Sequence, residues 1–124
     1  MDRPDKRKKA YRWGHYAEVI AALWLIAKGY RILTRRYGAR GGEIDLIIRK
    51  GATIAFVEVK ARRDFDRALE AIDGIKTRRL GKAVEEWLWR HDIPPGHSFR
   101  GDAVIVVPWR LPRHIEDAFE LPLD

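Results

Sequence analysis

The chain has 124 residues, 46% of them hydrophobic, which suits one domain with a real core and excludes disordered and collagen-like classes. It contains no cysteine, so disulfide scaffolds, thiolate metal sites and cysteine nucleophiles are excluded, and no apolar run approaches the roughly 20 residues a membrane span needs. The net charge is +7, from 25 Lys and Arg against 18 Asp and Glu.

That charge is unevenly placed. Residues 1–63 hold 16 Lys/Arg and 6 Asp/Glu, whereas residues 64–124 hold 9 and 12. A basic half argues for a polyanionic partner, nucleic acid first. The chain has no Asn, no Gln, one Ser and three Thr. Hydroxyl-nucleophile catalysis has little to draw on. The usual readers of adenine edges are missing, so contacts to DNA are expected to follow backbone and shape more than base sequence. No apolar leader follows the basic start, and a cytoplasmic protein without membrane contact is expected.

In chain order, Met1–Arg12 carries six Lys/Arg and two Asp and is expected as a flexible basic arm ahead of a single domain over 13–124. In Trp13–Lys28 the residues Ala17, Ile20, Ala21, Trp24 and Ala27 recur at helical spacing, Leu23 and Leu25 widen the stripe, and Gly29 stops it. Glu18 lies at the edge of that stripe, one turn from His15. Tyr30–Thr34 predicts a strand and Arg35–Gly42 a loop. Glu43–Arg49 and Thr53–Ala61 predict two more strands, joined by a tight turn with Gly51 at its first central position. Asp64–Glu70 is expected to be irregular. Asp73–Arg90 predicts a second helix with Ile75, Leu80, Ala83, Val84, Trp87 and Leu88 on one side, ended by Pro94-Pro95-Gly96. Phe99–Val107 and Ile115–Leu121 are the last strands. The order αβββαββ predicts an α/β fold: one mixed sheet of about five strands flanked by helices.

The chemistry-bearing residues fall in the second and third strands. By alternation Glu43, Asp45 and Ile47 share one face and Ile44, Leu46 and Ile48 the other; Phe56, Glu58 and Lys60 likewise share a face. A two-residue Gly51-Ala52 turn sets Lys50 against Thr53. Continued inward, that register sets Asp45 opposite Glu58 and Glu43 opposite Lys60. Two opposed carboxylates are unfavourable unless one takes a proton or a cation lies between them. A hard divalent cation, Mg²⁺ or Mn²⁺, suits Asp45, Glu58 and the Val59 carbonyl as its protein ligands. Lys60 then reaches toward a phosphate oxygen, and Glu18 brings a further carboxylate from the first helix. Metal, lysine and phosphate together are the apparatus of phosphodiester hydrolysis. The plainer alternative is an exposed cross-strand charge pattern. Against it, Glu58 and Lys60 interrupt an otherwise apolar strand.

Asp45 followed by Glu58-Val59-Lys60 resembles the D…(D/E)xK signature of the PD-(D/E)xK nuclease superfamily. More closely, Gly14-His15-Tyr16-Ala17-Glu18, Gly41-Gly42-Glu43-Ile44-Asp45-Leu46-Ile47 and Phe56-Val57-Glu58-Val59-Lys60 resemble the bacterial YraN family over about residues 13–121. The resemblance implies a restriction-endonuclease-like fold, a likeness to archaeal Holliday-junction resolvases, and a metal-dependent endonuclease acting on DNA with a preference for branched structure. It implies Asp45 and Glu58 as metal ligands, Lys60 as the catalytic lysine and Glu18 as the helix-borne acid, with Glu43 in support. Ile44 replaces the Pro of the superfamily name, and Gly101 stands between Arg100 and Asp102 where relatives often have Phe.

Arg35, Arg36 and Arg40 in the loop, and Lys76 and Arg79 by the second helix, are the candidates for phosphate contact. The four histidines form no HxxxH or HxH pair, so a histidine zinc site is not expected. Trp24 and Trp87 fall on apolar stripes; Trp89 and Trp109 are freer to stack on bases. A homodimer would suit a symmetric junction. Two other classes stay open: a non-catalytic nucleic-acid-binding module on the same fold, and a protein adaptor using the acidic last strand as a sheet edge.

Overall fold

Ala17, Ala21 and Leu25 recur every four residues, which lines them up on one side of a helix, and all three are fully buried. They belong to α1 (Arg3–Ala27) of a computed structural model that describes residues 3–39, 42–73 and 77–121, with the side chains of 13–38, 42–72 and 80–121. There follow β1 (Arg31–Ala39), β2 (Gly42–Lys50), β3 (Thr53–Ala61), α2 (Phe65–Asp73), α3 (Thr77–Arg90), β4 (Ser98–Val106) and β5 (Arg113–Phe119). The strands form one mixed sheet in the order β1-β2-β3-β4-β5. Among the described residues only β3 and β4 run parallel, and α2 and α3 lie in the crossover between them.

Each face of the sheet carries its own core. On one side α1 packs Ala17, Ala21, Ala22 and Leu25 onto Leu46, Ile48, Ala55, Val57, Val104 and Val106. On the other, α3 packs Leu80, Ala83, Val84 and Trp87 onto Ile44, Ile47, Ile54 and Phe56, with Trp87 edge-on to Phe56 at 5.7 Å between ring centroids. The small alanines let α1 approach the sheet closely. At its end the Tyr30 N–H donates to the Leu25 carbonyl and the Gly29 N–H to that of Ile26, with Gly29 at φ 96°, a left-handed cap that needs glycine. Among the described residues no helix is long and apolar enough to cross a membrane.

The expected order and sheet are present, with five local differences. Arg3–Arg12, expected as a flexible arm, has helical backbone continuous with α1; no Gly or Pro interrupts residues 5–13, and Pro4 stands in the first turn, where it is tolerated. The expected loop Arg35–Gly42 is largely the second half of β1, pairing with β2 from Arg35↔Leu46 to Ala39↔Gly42. As an edge strand it keeps its charges in solvent while Tyr37 packs against the α3-side core. The segment expected to be irregular forms α2, because the Asp64 carboxylate accepts the Arg67 N–H at 2.8 Å and caps a helix start. The second expected helix begins at Thr77, not Asp73. Within the α1 stripe Ala27 is exposed and Trp24 half-buried, so the buried line runs through Leu25 instead.

Candidate active site

The β2–β3 hairpin turns at Gly51, whose φ of 59° glycine adopts without strain, and Lys50 pairs with Thr53. The pairing runs inward in the expected register through Ile47↔Phe56 to Leu46↔Val57, and there the ladder stops. One residue further, the Val59 N–H donates at 2.8 Å to Oδ2 of Asp45. A side chain thus takes the place of the main-chain partner, and the two strands part around Asp45. The alternation of β2 breaks at the same point: Ile44 packs on the α3 side with Ile47, whereas Leu46 and Ile48 pack under α1. The expectation that Ile44, Leu46 and Ile48 share a face is therefore corrected. The physical reason is the opening itself, since a strand released from its neighbour's ladder no longer has to keep strict pleating. Neither Asp45 and Glu58 nor Glu43 and Lys60 are ladder partners; Glu43 pairs with Gly38 of β1 and is exposed.

Asp45 lines a cleft of about 460 Å³ whose walls include Glu18 and His15 of α1, Arg36 of β1, and Val59 and Arg62. Burial raises the pKa of Asp45 above its ordinary value; the Val59 N–H opposes that shift, and the Glu18 charge adds to it. Glu58 is pushed up to about 7, first by burial and then by the charge of Asp45, against the pull of Lys60. Lys60 Nζ stands 3.7 Å from Glu58 Oε2, with both side chains mostly buried. These are two desolvated carboxylates and an ammonium at a break in the sheet. The arrangement disfavours ionising both acids unless a further positive charge arrives.

Glu18 accepts from Arg36 Nε at 2.6 Å, and Arg36 Nη2 lies 3.1 Å from His15 Nδ1. Arg36 holds φ 50°, uncommon for a residue with a side chain, so the backbone of β1 is bent to deliver it. An arginine expected to contact phosphate is thus tied to the helix-borne acid. Arg35 is exposed on β1. Arg40, Lys76 and the side chain of Arg79 lie outside the described residues. Val59 meets the site through its N–H; the contact shown is not through the carbonyl expected as a ligand. Oxygen donors of this kind suit a hard divalent cation, and Asp45 Oδ1 accepts no hydrogen bond among the described residues. Among those same residues no three of His, Cys, Asp and Glu gather into a ready-made cation cage.

Sequence reasoning missed a second polar cluster, toward the hairpin end of β3 and β4. Asp102 is fully buried and accepts two hydrogen bonds from Arg100, both 2.9 Å, one from His114 Nε2 at 2.7 Å and one from the Asp117 N–H at 3.0 Å. Arg100 also donates to the Tyr30 hydroxyl, and His114 Nδ1 lies 2.6 Å from Lys28 Nζ. This network joins β4, β5 and the end of α1. The signal was available: Arg100 and Asp102 open an apolar strand, as Glu58 and Lys60 close one.

A family model described as "Uncharacterised protein family UPF0102" matches residues 17–106. The chain belongs to the UPF0102 family. The YraN resemblance leads to this same family. A UPF0102 protein of Sinorhizobium medicae is 53% identical over 115 residues, spanning 93% of this chain and 94% of its own. One of Methylorubrum extorquens is 52% identical over 116 residues, covering 94% and 91%. One of Mesorhizobium japonicum is 51% identical over 119 residues, covering 95% of each. The UPF0102 match takes in Glu18, Asp45, Glu58, Lys60, Arg100 and Asp102, but ends before His114 and Asp117 of the second cluster.

Proposed function

We propose that this UPF0102 protein is a divalent-metal-dependent endonuclease that hydrolyses DNA phosphodiester bonds at Asp45, Glu58 and Lys60. The observation that carries the reading is the break in the β2–β3 ladder at Asp45, with Glu58 near enough for the Asp45 charge to act on it and Lys60 Nζ 3.7 Å from Glu58. Asp45, through Oδ1, and Glu58 would hold Mg²⁺ or Mn²⁺. Such a cation supplies Lewis acidity toward the phosphodiester and lowers the pKa of an attacking water. Asp45 is oriented for that role by the Val59 N–H. Lys60 balances the ionised Glu58 and offers its ammonium to the charge that grows on a phosphate oxygen in the transition state. Glu18, steered by Arg36, stands across the cleft, where its carboxylate can order a water. The basic first half of the chain holds the strand by its backbone, and the lack of Asn and Gln favours recognition of structure, branched DNA included, over base sequence.

A non-catalytic DNA-binding module is the second reading, and one contact favours it: Glu18 is already neutralised from within the chain by Arg36. The two separate in a cleavage assay. Labelled four-way junction, flap, single-stranded and duplex DNA are incubated with the protein and with Glu58→Ala, in Mg²⁺, Mn²⁺ or EDTA. Metal-dependent cutting by the parent and not by the variant is expected. Binding of these DNAs without cutting in any metal supports the module instead.

A further inference from the structure

Beside the candidate site, past the end of β3, lies a cleft of about 1070 Å³. Its apolar wall includes Trp24 and Phe65, and at its rim Trp109 is fully exposed in the β4–β5 connection. Trp109 holds φ 63° in a segment bounded by Pro108 and Pro112, so the ring is presented by a stiff turn and not by a slack loop. The fully exposed Trp109 ring takes no part in the core packing. Arg63, Arg110 and Arg113 line the same cleft. Among the described lining residues the single acid is Asp64, and its carboxylate is turned to the Arg67 N–H and side chain. Arg63 and Arg110 form no ion pair among the described residues. The cleft is therefore lined by apolar and aromatic side chains together with three arginines, of which Arg113 lies 4.3 Å over the Phe65 ring.

Consecutive residues link it to the site described above. Arg62 lines the Asp45 cleft, Arg63 lines this one, and the Arg62 N–H is tied to the Val106 carbonyl at 3.2 Å. From Lys60 to Arg63 the extended chain spans on the order of 10 Å, which is a few nucleotide steps along one strand. We propose that this cleft binds an unpaired nucleotide of the strand entering the Asp45–Glu58 site, with its base stacked on Trp109 and its phosphates held by Arg63 and Arg110. An unpaired base offers both ring faces, whereas a base within a duplex is already stacked on its neighbours. The cleft thus selects strands with unpaired nucleotides over continuous duplex. The fate of the bound strand rests on the nuclease reading; the binding itself does not.

The test is anisotropy of a labelled 20-nucleotide oligo-dT and of a labelled duplex of the same length, titrated with the full chain in EDTA, so that cleavage plays no part. Trp109→Ala is expected to weaken oligo-dT binding about tenfold, Trp109→Phe to restore most of it, and Arg63→Ala and Arg110→Ala to weaken it with a shallower salt dependence. Duplex affinity is expected to stay within about twofold for the Trp109 variants. Equal losses on both DNAs, no loss on either, or no binding of oligo-dT by the parent overturns the proposal. So does a change of sedimentation with Trp109→Ala while DNA binding is unchanged, which gives the surface to a second copy of the chain. If the oligo-dT pattern holds but no DNA is cut in any metal, the stacking site stands and the nuclease reading falls.

Discussion

Glu58→Gln is expected to make the protein more stable than the parent in alkaline buffer, and not in acid. In the folded chain Glu58 is raised from 4.5 to about 7. A group raised on folding contributes stability that is complete below its unfolded value and is lost as pH climbs through the folded one. Here that window runs from about 4.5 to about 7. At about 1.4 kcal/mol for each pH unit, ionising Glu58 in place removes on the order of 3 kcal/mol. The side chain is 17% exposed, so solvent screening takes little from this figure. Glutamine keeps the shape and cannot ionise. Urea unfolding in EDTA, from pH 4.5 to 8, compares the two proteins. The Gln variant gains on the parent by about 2–3 kcal/mol across that range. Added Mg²⁺ reverses the difference at pH 8, because a cation between Asp45 and the ionised Glu58 removes the parent's penalty and finds only one carboxylate in the variant. A stability difference that does not change with pH refutes the account of a desolvated, mutually repelling pair.

Three further outcomes follow from particular contacts. A Cβ on Gly101 would stand 2.6 Å from the Phe119 ring and 2.7 Å from its carbonyl oxygen. Gly101→Ala is therefore expected to cost about 1–3 kcal/mol in urea unfolding; an unchanged midpoint counts against the close β4–β5 approach. Asp102→Ala leaves Arg100 and His114 without their buried anion and is expected to cost about 3–5 kcal/mol. The Asp102 pKa is lowered in the fold, so its contribution is present above 3.8 and fades only as pH falls below that value; an equal cost at pH 3 and pH 7 contradicts the assignment. Arg36→Ala releases Glu18. Single-turnover cleavage is expected to fall more than DNA affinity, and equal losses of both make Arg36 a phosphate contact only.

The hairpin register was legible because one residue fixes it: glycine at 51 takes a positive φ, and the pairings from Lys50↔Thr53 to Leu46↔Val57 follow from the two-residue turn. The candidate site was legible because charges closing an apolar strand stand out against it. What alternation did not reveal is the break at Asp45. That break comes from a side chain replacing a main-chain partner, and no periodicity records such a substitution. The second half of β1 was hidden for a different reason: three arginines and three glycines look like a loop, yet an exposed edge strand tolerates both. The start of α2 turned on one side-chain cap, Asp64, and the boundary of the irregular stretch moved with it. The Asp102 network needed the parallel β3–β4 crossover and the return of β5, contacts far apart in sequence that local pattern does not carry.

If Asp45, Glu58 and Lys60 form a metal-dependent phosphodiesterase site, Lys60→Ala separates metal binding from cleavage. The measurement is Mn²⁺ binding by calorimetry, together with single-turnover cleavage of a labelled four-way junction, for the parent and this variant. The variant is expected to bind Mn²⁺ still, since both carboxylates remain, and to cut at least 100-fold more slowly, since a cation at the developing phosphate charge is worth about 3 kcal/mol or more. Cleavage at the parental rate, or a parent that binds no Mn²⁺, contradicts that assignment.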